Sequence, residues 1–354
     1  MSRFLSKLYS NLIPYVPGEQ PRDKKYIKLN TNESPFPPSP KARRYVKAAA
    51  KELQLYSDPE CKLLRQKMAE TLGVKPEEVV MFNGSDEALS YAFMTFCDEN
   101  RGVAYPDISY GFYSVYANLY GIDALEIPLR QDFTIATEDY IGIGRTVVIA
   151  NPNAPTGLKL SLSQIEEIVK GNPDNIVVID EAYVDFGGES AVALIPKYEN
   201  LLVIQTFSKS RSMAGARLGC AVGCKTLMDD LNLIRYSMNP YNVNRMTMAA
   251  GMGALEDVAY FRKNCGKILE NRAWTTEKLR DMGFTVLDSH TNFVLAKHKK
   301  LPGKKLYLAL KERGILVRHF DTDRLRDYIR VTIGSKKEML AFAAAVKTIL
   351  EEGL

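Results

Sequence analysis

Histidine is scarce in this chain. Its 354 residues include three, His290, His298 and His319, scattered and without an HExxH pair. A multi-histidine metal site has too few ligands here, and a histidine-based triad finds no GxSxG elbow to join. The five cysteines are an odd number without framework spacing, which argues against a disulfide scaffold and fits a reducing compartment. Cys220 and Cys224 have no second pair, so they read as thiols on an apolar strand and no metal is expected. Apolar runs are short, far below the roughly 18 residues of a membrane span. Pro14 and Pro17 interrupt the first thirty residues, so a signal segment is not expected and the cytoplasm is the expected compartment. Neither GxGxxG nor GxxxxGK[ST] occurs; Gly223-Cys224-Lys225-Thr226 comes nearest, with Cys224 where glycine must precede the lysine. A net charge of +5, from 47 basic and 42 acidic side chains, is too mild to imply nucleic acid.

What is present reads as α/β. Thr146–Ala150 (TVVIA), 176–180 (IVVID), 201–207 (LLVIQTF) and 218–223 are short apolar runs, as expected of strands covered on both faces. Between the first two, Ser161–Lys170 repeats apolar residues at helical spacing, with Ser161 as N-cap and Gly171 as stop. Leu64, Met68 and Leu72 mark another helix ended by Gly73, and a third is expected over Asp86–Cys97. Tyr26–Pro40 is proline-rich in its latter half and reads there as an extended connector. The last third changes character. Strand-like stretches at 284–287, 292–296, 315–319 and 328–333 interleave with helical patterns at 306–313 and 338–350. The length exceeds one ordinary core, so two domains are expected. The expected division is an arm at 1–29, a large domain at 30–255 and a smaller α+β domain at 256–354, with a long helix over 254–282 bridging to it.

Polar residues recur at the ends of the central strands. Asn151 follows TVVIA, Asp180 closes IVVID and Lys209 comes just after LLVIQTF, each 29 positions after the last. One strand plus a crossover helix takes about 30 residues, so three successive units put one polar side chain each at the carboxyl edge of a sheet. Open α/β sheets bind ligands at that edge. A lysine there can form a Schiff base, and an acid can keep a pyridine nitrogen protonated, which is the equipment pyridoxal phosphate chemistry needs. Asp180 is the candidate acid. Asn151 and Tyr183 are candidates for the ring's phenolic oxygen. A phosphate would be met by the helix start at Asn83–Glu87, by Thr206, Ser208 and Ser210, and by Arg217.

These stretches resemble a family, the fold-type I pyridoxal phosphate-dependent aminotransferases, and within it the histidinol-phosphate aminotransferase group. The resemblance is carried by Asn151–Gly157 (NPNAPTG), Asp180–Phe186 (DEAYVDF), Thr206–Gly219 (TFSKSRSMAGARLG), Pro240–Asn244 (PYNVN), Arg330–Gly334 (RVTIG), Tyr56–Pro59 and Pro106–Tyr113 (PDISYGFY), in family order over most of the chain. It implies a large domain with a mostly parallel central sheet between helices, plus the smaller α+β domain. It implies Lys209 as the lysine that binds pyridoxal 5'-phosphate and moves the substrate proton, Asp180 as partner of the pyridine nitrogen, and Tyr183 beside the phenolic oxygen. Tyr110 would stack on the ring. Ser85 and Asp86 would give backbone contacts to the phosphate, with Ser208 and Arg217. Tyr56 would reach the phosphate of a neighbouring subunit, which implies a homodimer. Arg330 and Arg318 would bind substrate anions, and Tyr15 would join them.

The implied reaction is transamination between L-histidinol phosphate and 2-oxoglutarate, giving imidazole-acetol phosphate and glutamate, in histidine biosynthesis. An aromatic amino-acid aminotransferase and a pyridoxal phosphate-dependent decarboxylase of a phosphorylated amino acid share most of these motifs. One departure stands out: Ala154 precedes Pro155-Thr156-Gly157, where many relatives have an asparagine for the phenolic oxygen. That role passes to Asn151 or Asn153, or is left to Tyr183, and Asn151 is the expected one from its place at the strand end.

Overall fold

The computed structural model describes residues 2–10 and 12–353. Thirteen strands occur among them: β1 (Ile27–Lys28), β2 (Val79–Phe82), β3 (Val103–Pro106), β4 (Ala124–Ile127), β5 (Thr146–Ala150), β6 (Val177–Asp180), β7 (Leu201–Thr206), β8 (Gly219–Val222), β9 (Phe284–Val286), β10 (Phe293–His298), β11 (Ile315–Leu316), β12 (Arg318–His319) and β13 (Tyr328–Thr332). Seven form the central sheet, in the order β2-β8-β7-β6-β5-β3-β4. All its pairings are parallel except the two made by β8. The expected mostly parallel α/β sheet is thus present.

Both faces of this sheet are covered, which is why its strands are apolar throughout rather than alternating. In β5, Val147 and Ile149 join the core on one face, while Val148 and Ala150 join the core on the other. The crossover helix Leu162–Lys170 has the expected cap: Ser161 accepts from the Gln164 amide, and Gln164 reaches back in a capping box. Gly73, in the left-handed region, ends the helix Lys62–Leu72 as expected.

The C-terminal part has its own four-stranded antiparallel sheet, β12-β13-β10-β9, and its own core, with Phe293, Ile329, Val331 and Phe342 buried among its members. Two expectations are corrected. The long bridging helix is present as Val258–Asp281 but starts at Val258 rather than Ala254, because Asp257 leaves helical geometry at φ −99° and ψ 58° and ends a separate helix, Arg245–Glu256. The stretch 315–319 is two strands. Ile315–Leu316 pairs in parallel with Ile27–Lys28, whereas Arg318–His319 pairs with β13. Leu29 continues this contact, its carbonyl accepting from the Thr332 amide. The segment after residue 26 therefore runs along the small sheet before it reaches the large one, and carries Asn30 and Asn32 between the two.

Candidate active site

The parallel register brings Asp180 opposite Ala150 on one side and Ile204 on the other. β7 ends at Thr206, and Lys209 follows in the turn beyond it. The 29-residue spacing thus gathers Asp180 and Lys209 at one sheet edge. Lys209 lines a cavity of about 600 Å³ together with Tyr110, Tyr183, Tyr15, Arg318 and Arg330. Six residues expected at the site, from five separate parts of the chain, therefore share one hollow.

Asp180 is 4% exposed. One carboxylate oxygen accepts from the Tyr113 hydroxyl at 2.8 Å and the other from the Ala182 amide at 3.2 Å. Burial pushes its pKa up to about 6, against the pull of those two donors and of the Lys209 charge. A buried carboxylate in this condition favours a cationic partner. Tyr113 itself is fully buried, and burial followed by the Asp180 charge raises its pKa well above the usual phenol value.

The residues expected to meet an anion lie around the start of the helix Ser85–Phe96. Its N-cap is Gly84, which offers no side-chain cap, so the first-turn amides are available to an anion. A Cβ on Gly84 would lie 2.5 Å from Arg217 Nη2, and its φ is +85°. Glycine there serves both the turn and the close approach of the guanidinium. Arg217 pairs with Asp86 at 2.9 Å, and Tyr110 donates to the other oxygen of Asp86 at 2.8 Å. Ser208 accepts from Thr206 at 2.9 Å on the adjoining turn. The Asp86 carboxylate thus ties Arg217 to Tyr110 at the cavity wall.

Across the cavity, β12 and β13 bring Arg318 and Arg330 into direct opposition. Arg330 donates to the Asn30 carbonyl at 3.2 Å, and its guanidinium lies 5.2 Å from the Phe293 ring centroid. Its Nε is buried without a partner, as is Asn30 Oδ1. Burial lowers the Arg330 pKa, and the neighbouring Arg318 charge lowers it further. Two guanidiniums with an unpartnered donor, facing one hollow, are equipped to receive a doubly charged anion. Tyr15 stacks on Phe112 at 4.3 Å and closes one side.

Asn151 is corrected. It does not line this cavity: its Oδ1 accepts from the Leu160 amide at 2.8 Å and its Nδ2 donates to the Leu160 carbonyl at 3.3 Å. The side chain is consumed in holding the loop after β5. Asn153 is likewise committed, to Ser109, the Ile108 carbonyl and Thr156. Tyr56 stands apart, 79% exposed, its ring stacked 4.5 Å from that of Tyr241. Sequence reasoning missed Tyr113, Asn30 and Asn32. Tyr113 lies on the buried face of the helix Phe112–Tyr120, so its burial was readable from the pattern but its carboxylate partner was not. Nothing local to the two asparagines marks them.

Fold and site together define a lysine-centred transferase of fold type I: a buried acid, a lysine and an anion-ready helix start at the carboxyl edge of one sheet. The chain belongs to the family Aminotransferase class I and II, whose model matches residues 24–346. It is 48% identical over 353 residues to the histidinol-phosphate aminotransferase of Brachyspira hyodysenteriae (strain ATCC 49526 / WA1), across 99% of this chain and 100% of that protein. It is 46% identical to the histidinol-phosphate aminotransferase of Clostridium botulinum (strain Langeland / NCTC 10281 / Type F) over the same shares. The crystal structure of histidinol-phosphate aminotransferase from Sinorhizobium meliloti, in complex with pyridoxal-5'-phosphate, superimposes with a TM-score of 0.85 at 25% identity, covering 94% of this chain and 93% of that one. The protein is an aminotransferase.

Proposed function

We propose that the chain transfers the amino group of L-histidinol phosphate to 2-oxoglutarate with pyridoxal 5'-phosphate as cofactor, producing imidazole-acetol phosphate and glutamate in histidine biosynthesis. The observation that carries this reading is the pair Arg318 and Arg330, opposed across two strands in the cavity that holds Lys209. The residues present fit the cofactor. Ser85, Asp86, Ser208 and Arg217 would hold its phosphate, Tyr110 its ring face, Asp180 its pyridine nitrogen and Tyr183 its phenolic oxygen. When bound, the cofactor supplies an electron sink for the charge left at the substrate Cα.

The chain's own residues do the rest. Arg318 and Arg330 take the phosphate of one substrate and a carboxylate of the other. Tyr15 and Tyr110 wall the cavity around the substrate body. The Lys209 amine would take the proton from the substrate Cα and pass it to the cofactor. Asp180 would hold the proton on the ring nitrogen, and Tyr113 steadies the carboxylate.

We also assign Tyr56 to the cofactor phosphate of a second subunit. Leu55, Tyr56, Leu233, Tyr236, Met238 and Tyr241 are exposed, and the Tyr56 and Tyr241 rings are stacked, a surface that suits a homodimer. The proposed division is arm 1–29, large domain 30–255 and small domain 256–354. No helix among the described residues is long and apolar enough to cross a membrane, and cytoplasm is the proposed location.

The test is a spectral titration of the cofactor-loaded protein. Histidinol phosphate should convert the cofactor to its amine form at lower concentration than phenylalanine does, and 2-oxoglutarate should reverse the conversion. Preference for phenylalanine would favour an aromatic aminotransferase. Release of carbon dioxide without consumption of an oxo-acid would favour a decarboxylase. Sedimentation should show a dimer, and Tyr56→Phe should weaken cofactor retention without dissolving it.

A further inference from the structure

The hydroxyl of Tyr183 is held from one side by a residue that the chemistry described so far does not use. Asn32 is 2% exposed and sits at φ +56°, in the left-handed region that asparagine tolerates better than most residues. Its amide N–H donates to Thr332 Oγ1 at 2.9 Å. That hydroxyl keeps its own proton, which goes to Asn32 Oδ1 at 3.1 Å. With Oδ1 occupied as an acceptor, the Nδ2 end of the side chain faces Tyr183 and donates to its Oη at 2.9 Å. The carbonyl of Asn32 is fixed in turn by Asn292 Nδ2 at 3.0 Å. A phenol that accepts in this way retains one proton to give elsewhere. Among the described residues the Tyr183 hydroxyl meets no protein acceptor, and Tyr183 lines the cavity beside Lys209, whose Nζ lies 5.8 Å from its ring centroid.

The surroundings leave this phenol without help. Ala154, on the same cavity wall, has no hydrogen-bonding side chain, and Asn151 and Asn153 are spent on the loop.

We infer that Asn32 is a positioning residue, aiming the Tyr183 proton at the cofactor's phenolic oxygen and, through Thr332, fastening that donor to the strand that carries Arg330. Residues 330 and 332 share one face of β13, so the anion site and the oxygen donor hang from the same two turns of pleat. The inference rests on the cofactor reading given above. A hydrogen bond donated to the ring oxygen draws charge from it and eases loss of the proton on the neighbouring Lys209 nitrogen, which lowers the pH midpoint of the bound cofactor's visible absorbance.

The experiment follows that midpoint in holoenzyme variants. Asn32→Ala should raise it by on the order of half a pH unit or more. Thr332→Val should raise it in the same direction, and Thr332→Ser should restore the wild-type value. In a Tyr183→Phe background, Asn32→Ala should add nothing, since the group it aims is gone. An unchanged midpoint in Asn32→Ala, or an equal shift in the Tyr183→Phe background, overturns the inference. If Asn32→Ala does not fold, the Thr332 pair decides by the same criteria. A wild-type protein that develops no visible absorbance with pyridoxal phosphate overturns the cofactor reading, and this inference with it.

Discussion

Arg318 and Arg330 are direct cross-strand partners in the small sheet, two like charges where opposite charges or apolar side chains are the stable choice. Both side chains line the cavity, and under the proposed function a dianion between them would convert the cost into binding. Arg330→Ala should raise KM for a phosphate-bearing amine by about tenfold to hundredfold, with cofactor affinity little changed. Steady-state kinetics beside a cofactor titration check both halves. Inorganic phosphate should raise the melting temperature of the wild type more than that of Arg318→Ala.

Lys209→Ala should lose turnover by at least about a thousandfold, since a positioned proton carrier is worth roughly that much, while the fold persists. Single-turnover assays with added cofactor, together with circular dichroism, read the two effects separately. Full activity in this variant would remove Lys209 from the mechanism.

Asp180 and its neighbour Glu181 make the cofactor-free protein sensitive to pH. Burial pushes their carboxyls up to about 6 and about 7, from 3.8 and 4.5. The folded chain therefore holds protons that the unfolded chain releases, so stability falls as pH rises through the window from about 4 to about 7. Each carboxyl contributes on the order of 3 kcal/mol to that fall. Asp180→Asn keeps an acceptor for the Ala182 amide and a donor for the Tyr113 oxygen. Its melting temperature should decline less steeply than that of the wild type over this window, even as activity drops by at least about a hundredfold. Parallel melting curves at several pH values give the difference.

Gly84→Ala should weaken cofactor binding by about tenfold or more, because its Cβ would press on Arg217 and the positive φ would be strained. The accompanying loss of stability is about 1–2 kcal/mol. Reconstitution of the cofactor-free protein measures the first, and chemical unfolding the second.

Much of the site was legible because parallel sheets repeat. The spacing of Asp180 and Lys209 pointed to a shared edge. The expected crossover helix between them is absent, since only the 3-10 turns Val184–Phe186 and Ala191–Lys197 lie there before β7, but they take the same length of chain and so leave both residues at one edge. Asn151 shared that spacing and still misled. A strand-end asparagine serves equally well to pin the following loop, and only the hydrogen bonds to Leu160 show which task it performs. The break at Asp257 was hidden because the apolar period of the helix before it runs into that of the helix after it. The division of 315–319 was hidden because the partner of Ile315–Leu316 lies near the start of the chain.

By itself the sequence determined the α/β sheet, the capped helix Leu162–Lys170 and the candidate pair Asp180 and Lys209, all of which rest on local periodicity and on residue types at fixed intervals. Tertiary structure alone decided what faces those residues. Tyr113 meets Asp180, Asn32 meets Tyr183, and Arg318 meets Arg330 through side-chain contacts or strand pairings that no local pattern encodes. The scarcity of histidine fits the same division. A site built from a lysine, a buried acid and opposed arginines has no need of it, and only folding gathers those groups around one cavity edge, with Asp180 buried and the others half-buried.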